Sequence, residues 1–495
     1  MRRLAGLAAI AVSVTLGGCE VGPDFLRPSA PDVDGYTKEP LSVQTAAART
    51  RGGEAQRFVQ DMDIPGQWWA LFHSEPLNQL IEQSLANNPD LDAAQAALRQ
   101  AQENARAGEG PLFPNVSAGL QAERERFSGA TFGQPGATST FSLVTPSLNV
   151  SYAPDVFGGT RRQIESLLAQ ADYQRFQLEA TYLTLTSNVV VAAVQEASLR
   201  GQIAATQDII KDQTDQLGVV RQRFVLGASS QADVLTQEAT LAQTRATLPP
   251  LQKQLAQERD QLAALAGRFP SQGVDETFEL DSLRLPQDLP VSLASRLVEQ
   301  RPDVRAAEAQ MHAASANVGV ATANQLPQFS ITGSLGTVAS GFTNMFAPGT
   351  GVWSIAGGIS QTLFDAGTLL HKKRAAVAAF DQAAAQYRST VIKAFQNVAD
   401  ALRALQSDAD ALVAQSAAER SAFASLDLAR RQYQLGAIDY LTLLNAQRTW
   451  QQARISLVQA EANRYADTAA LFQALGGGWW HRTDVAQSGD AATPH

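Results

Sequence analysis

Asn88-Pro89-Asp90-Leu91 opens a stretch that runs to Leu112-Phe113-Pro114-Asn115, and Arg301-Pro302-Asp303-Val304 opens another that runs to Leu326-Pro327-Gln328. The two lie in register at an offset of 213 residues, from Pro89 to Pro302 and from Pro114 to Pro327, without a gap. Downstream, Arg223-Phe224-Val225-Leu226-Gly227 answers Gln432-Tyr433-Gln434-Leu435-Gly436 at an offset of 209, which persists to Gly267 against Gly476. A unit of about 200 residues is far longer than the period of a solenoid repeat. The chain is one architecture written twice, and neither copy carries the motif set of an enzyme.

Each copy changes period along its length. Val116, Ala118 and Leu120 alternate with Ser117, Gly119 and Gln121, and Leu148, Val150 and Tyr152 alternate with Asn149 and Ser151. In the second copy Phe329, Ile331, Gly333 and Leu335 alternate with Ser330, Thr332 and Ser334. Trp353, Ile355, Gly357 and Ile359 do so with Ser354, Ala356, Gly358 and Ser360. Loops rich in Gly, Ser, Thr and Pro, roughly 126–142 and 339–351, separate the members of each pair, so each copy contains one β-hairpin. Such alternation suits a soluble half-buried hairpin, and equally a barrel wall between lipid and water. Long helical patterns follow, from about Thr160 to Val225 and from about Thr368 to Leu435, free of proline. Some 66 residues at 1.5 Å each make a helix about 100 Å long, which needs lateral partners. After Gly227 and Gly436 a second helical run returns, over 231–266 and 439–475, giving one helical hairpin per copy. Many core-facing positions carry Ala, Ser, Thr or Val, which favours close packing and a wet inner surface over a dry Leu seam.

The ends set the compartment. Arg2 and Arg3 followed by the short apolar run Leu4–Leu16 read as a signal peptide over 1–18. The run closes on Leu16-Gly17-Gly18-Cys19, which resembles a lipobox and makes Cys19, the chain's one cysteine, the expected site of lipid attachment. Glu20 follows it where an Asp would tend to retain a lipoprotein in the inner membrane, so outer-membrane anchoring is expected. Residues 19–66 carry five scattered prolines and read as an extended lipid-anchored segment. The first repeat is then placed at 67–280, the second at 281–476 and a disordered tail at 477–495. No stretch reaches 18 consecutive apolar residues, which excludes a transmembrane helix but not a β-barrel. A net charge of −9 argues against a nucleic-acid footprint. His73, His312, His371, His481 and His495 show no ligand spacing, so no metal or cofactor is expected.

The order of these landmarks resembles the TolC-like outer-membrane factors of tripartite efflux and secretion systems, most nearly the lipoprotein subgroup called the NodT family. The residues that carry the resemblance are Leu16-Gly17-Gly18-Cys19, Trp68-Trp69 with Phe72, Arg301-Pro302-Asp303-Val304-Arg305-Ala306-Ala307-Glu308, Leu363-Phe364-Asp365-Ala366-Gly367, Gln432-Tyr433 with Leu435-Gly436, and Tyr440 to Arg448. They span nearly the whole mature chain. The resemblance implies an α+β membrane protein: a homotrimer whose four strands per protomer close a 12-stranded barrel that continues into a periplasmic helical tube. It implies partnership with a periplasmic adaptor and an inner-membrane pump, of RND type, and a passive exit duct for small molecules. The residues require something similar on their own account, because four strands cannot close a barrel and an open edge in lipid strands unpaired N–H and C=O groups.

In that family the inner hairpin narrows the periplasmic end. The matching run is Asp439 to Arg448, where Leu441, Asn445 and Arg448 fall on one helical face and are the expected gate. The family often has an acid where Asn445 stands, so a ring of Leu441 closing by dewetting is the sharper expectation; packing between helices is the plain alternative. Asp233 and Asp439 are candidates for charged rings, or else solvated acids that suit a helix start. Gly227 and Gly436 mark the hairpin tips where the adaptor is expected to dock. The rival functions are a non-conducting coiled-coil lipoprotein, an outer-membrane duct for type I protein secretion, and a periplasmic enzyme on a helical scaffold.

Overall fold

Proline-free runs rich in Ala, Gln, Leu and Arg give the chain its longest elements. The computed structural model describes residues 20–482 apart from positions 34, 129, 131, 132, 134 and 135, so the signal peptide and Cys19 lie outside the described residues. In chain order the strands are β1 (Arg57–Gln60), β2 (Asn115–Ser128), β3 (Thr138–Tyr152), β4 (Asp288–Val291), β5 (Gln328–Thr337) and β6 (Gly351–Ser360). The helices are α1 (Glu75–Asn87), α2 (Pro89–Gly108), α3 (Gly159–Val225), α4 (Gln231–Leu265), α5 (Ala294–Gln300), α6 (Pro302–Ala323), α7 (Thr368–Gln434) and α8 (Tyr440–Ala474). Both α3 and α7 are 67 residues long, and both α4 and α8 are 35. Their eight ends fall into four pairs at the same offset of 209 (159 to 368, 225 to 434, 231 to 440, 265 to 474), so the duplication governs structure as well as sequence.

The chain divides into two units, the first drawing on residues up to Pro28, 97–175 and 306–388. At its centre is one antiparallel sheet in the order β2-β3-β5-β6. The register sorts its residues by chemistry. One face carries Val116, Ala118, Leu120, Val150, Leu148, Leu335, Ile355 and Trp353; the other carries Ser117, Gln121, Asn149, Thr145, Ser330, Thr332, Ser334 and Ser354. The apolar face is open: Trp353 and Ile355 are each 77% exposed. The polar face bonds to itself, with the Ser334 and Ser354 hydroxyls 2.8 Å apart. In the first hairpin the strands run further than the alternation predicts, so that Arg126–Ser128 and Thr138–Ser142 are strand where a loop is expected.

The same unit holds residues 20–28 against α3 and α6. Arg162 on α3 is only 4% exposed and gathers Asp24 at 2.6 Å, Glu165 at 2.7 Å and Glu20 at 3.4 Å, while Nε donates to the Val21 carbonyl at 3.3 Å. Phe25 stacks on the His312 ring at 4.3 Å, and Arg27 pairs with Glu308 at 3.2 Å.

The second unit takes residues 29–96, 176–305 and 389 onward. Trp68, Trp69 and Phe72 form a 3-10 turn whose Trp68 ring stacks on Phe472 of α8 at 5.3 Å. Fully buried aromatics of this size each stabilise by roughly 3–5 kcal/mol on the scale of truncation to Ala. The parallel pair β1 and β4 is an addition to the four predicted strands. Residues 477–482, placed by sequence in a disordered tail, are instead packed. Trp479 Nε1 donates to the Gln300 carbonyl at 2.6 Å, Arg482 pairs with Glu179 at 2.7 Å, and its guanidinium lies 3.5 Å over the Tyr182 ring. Two aromatic rings and a paired cation supply contacts that the glycines before them conceal in a composition-based reading. Among the described residues no helix is long and apolar enough to cross a membrane.

Candidate functional site

The ends of the two helical hairpins, both in the second unit, are built by one local code. At the end of α3, Gly227 N–H donates to the Phe224 carbonyl and Ala228 N–H to that of Arg223, at 2.9 and 2.8 Å. At the end of α7, Gly436 N–H donates to Tyr433 and Ala437 N–H to Gln432, at 3.1 and 2.9 Å. This is the paired-bond stop in which the residue after the helix turns left-handed. Gly227 has φ +76° and Gly436 φ +71°, and no atom lies within 4 Å of where a Cβ would stand at either. Backbone conformation, not crowding, therefore requires glycine at both tips.

The returning helices are capped at equivalent positions by different residues. Ser230 caps α4, its hydroxyl accepting from Asp233 N–H at 3.1 Å while the Asp233 carboxylate accepts from Ser230 N–H at 2.9 Å. Asp439 caps α8, accepting from Thr442 N–H at 2.8 Å. Hydrogen bonds to the cap hold both carboxyls below the usual range, through Ser230 for Asp233 and Thr442 for Asp439. Both are anionic at neutral pH, at the positive end of a helix dipole.

Leu441, Asn445 and Arg448 share the exposed face of α8's first turns, whereas Leu443, Leu444 and Gln447 are buried on the other. Leu441 is 58% exposed. Arg448 donates to Thr240 Oγ1 on α4 at 3.4 Å. At the equivalent places on α4 stand Ala232, Thr236 and Ala239, and the Thr236 hydroxyl is turned back onto the Ala232 carbonyl at 2.7 Å. The face that carries large side chains in the second copy thus carries small ones in the first.

Beneath this face lies a cluster that sequence reasoning left without a role. Val220, Leu426, Tyr433, Tyr440 and Leu443 pack together, with the Tyr433 and Tyr440 rings 5.6 Å apart. The Tyr440 hydroxyl donates to Gln237 Oε1, joining α8 to α4, and Gln237 Nε2 donates to the Gln213 carbonyl of α3 at 3.0 Å. Arg223 lies 4.7 Å over the Tyr433 ring and donates to the Tyr433 and Gln434 carbonyls, each at 3.4 Å. Burial pushes the Tyr440 phenol above its ordinary range, so it stays a donor. The available signal was the pair of tyrosines flanking Gly436, seven residues apart across the turn. Among the described residues no cluster of His, Cys, Asp and Glu is placed to hold a metal ion.

Known proteins resemble this chain along most of its length. The family model described as outer membrane efflux protein matches residues 80–268 and 293–477, once for each copy. The pyoverdine export outer membrane protein OpmQ of Pseudomonas putida is 33% identical over 89% of this chain and 94% of its own. The toluene efflux pump outer membrane protein TtgC of Pseudomonas putida is 29% identical over 99% of each. The solved outer-membrane channel OprN superposes with a TM-score of 0.83 at 30% identity, covering 93% of this chain and 100% of that one. With both copies matched and the fold shared end to end, this chain belongs to the outer membrane efflux protein family.

Proposed function

We propose that three copies of this chain close a 12-stranded barrel in the outer membrane, and that the assembly is the passive exit duct of a tripartite efflux system. The observation that carries this reading is the sheet of the first unit. It has four strands, one apolar face, one polar face, and two edges, β2 and β6, with no further strand partner among the described residues. Exposed edges in lipid leave backbone groups unsatisfied, and joining β2 of one protomer to β6 of the next pairs those groups along the length the two strands share. The apolar face then meets lipid and the polar face lines water.

In this reading Cys19 carries the lipid, and the Arg162 cluster holds the chain that follows it. The tips at Gly227 and Gly436 receive the periplasmic adaptor. Leu441, Asn445 and Arg448 narrow the duct, repeated three times about its axis, with Asp233 and Asp439 as acids near the same level. An inner-membrane pump, of RND type, supplies energy and selects the cargo. Relatives named for pyoverdine and for toluene support a duct that admits small molecules of unlike chemistry. No side chain here is assigned catalysis.

A scan of cysteine pairs, one in β2 and one in β6, tests the closure. Oxidation should yield covalent trimers at some register and no larger ladder. A chain that stays monomeric at every register in native membranes overturns the assembly.

A further inference from the structure

The first β-hairpin outruns the second, and its extra length is charged. On β2 the apolar residues Val116, Ala118, Leu120 and Ala122 stand opposite Val150, Leu148, Pro146 and Val144. Past Ala122 the same face carries Arg124 and Arg126, opposite Ser142 and Thr140. The other face carries Glu123 and Glu125, opposite Leu143 and Phe141. Strand alternation has sorted charge by sign: cations continue the apolar face, and anions continue the polar one. All four side chains are exposed. Arg126 donates to Thr138 Oγ1 at 3.4 Å, and among the described residues neither arginine is in an ion pair.

The position of the arginines is the second observation. On β3 the apolar face runs from Val144 to Tyr152, nine residues, and about 9–11 tilted residues cross the hydrocarbon layer. Arg124, opposite Ser142, is therefore the first residue of its face beyond that band. A lipid-facing arginine is costly at the midplane and nearly free at the interface. The hairpin turns lie at the end of the sheet away from the helices, because β2 and β5 both leave helices and run towards their turns. With the helices in the periplasm, that end faces outside the cell, where the outer leaflet of the outer membrane is a phosphorylated glycolipid. β5 ends at Thr337 and carries no such pair, so the surface occurs once per protomer.

We propose that Arg124 and Arg126 form a binding surface for the phosphate groups of outer-leaflet lipopolysaccharide. Guanidinium groups two residues apart on one strand face lie about 7 Å from each other, close enough for one phosphorylated headgroup, and each can bind phosphate through two N–H donors. Glu123 and Glu125 sit across the sheet, where they do not repel it. The inference rests on the trimeric barrel proposed above.

The test titrates lipopolysaccharide into full-length trimer held in phosphatidylcholine nanodiscs, with conductance recorded on the same preparations. Arg124→Gln with Arg126→Gln should weaken binding by roughly tenfold or more. Arg124→Lys with Arg126→Lys should keep most of it, and Glu123→Gln with Glu125→Gln should change nothing. Enzymatically dephosphorylated lipopolysaccharide should bind wild type and the glutamine variant alike. Equal binding of intact lipopolysaccharide by both, with conductance preserved, overturns the surface and leaves the barrel standing; full competition by millimolar inorganic phosphate overturns the lipid as its ligand. Absence of trimer and conductance in the wild type would instead remove the barrel reading itself.

Discussion

Gly436 sits at φ +71° with open space around it, so a side chain there meets backbone strain and no clash. That strain is on the order of 1–3 kcal/mol and is confined to the turn. Gly436→Trp should therefore leave trimer yield intact while reducing adaptor cross-linking and efflux; unchanged cross-linking would place the docking surface elsewhere. Arg162 is the converse case, a buried cation whose partners Glu20 and Asp24 lie far from it in the chain. Arg162→Gln should leave lipid labelling at Cys19 unchanged but expose the segment around residues 20–28 to protease within a folded trimer. Cleavage rates equal to wild type would show that Arg162 does not hold the segment.

At the scale of elements, α7 and α8 meet across an acidic pair. Burial, and then the neighbouring Asp408, push the Asp467 carboxyl from 3.8 up to about 7, with Arg464 opposing. A folded-state value above the unfolded one means that this group's contribution is whole below about pH 4 and is lost as pH rises through 7. Asp467→Asn should accordingly flatten the dependence of the thermal midpoint on pH between about 4 and 7. An unchanged slope would remove the pair from the pH response. The long helices and both glycine stops were legible in sequence, because a proline-free run ending in glycine has one local outcome. Glu123–Ser128 was not: period-two reading looks for an apolar face, and Glu-Arg-Glu-Arg offers none, although its partners in β3 pair regardless. β1 and β4 are four residues each and 231 positions apart, too short for a pattern and joined only in the fold. The Tyr440–Gln237 bond likewise joins the two copies, and nothing local announces it.

For the whole molecule, the duplication makes an internal control. Leu441 and Asn445 in the second copy correspond to Ala232 and Thr236 in the first, and in the proposed duct three-fold repetition would turn one exposed apolar residue per protomer into a ring. A conducting duct narrowed at such a ring carries a current set by the size of those side chains. Single-channel recording of purified trimer in a planar lipid bilayer tests it most directly, comparing wild type with Leu441→Ala/Asn445→Ala and with Ala232→Ser/Thr236→Ser. Discrete conductance steps should grow in the first variant and match wild type in the second. A folded trimer silent in all three would contradict the duct, and equal steps in all three would contradict the placement of its gate.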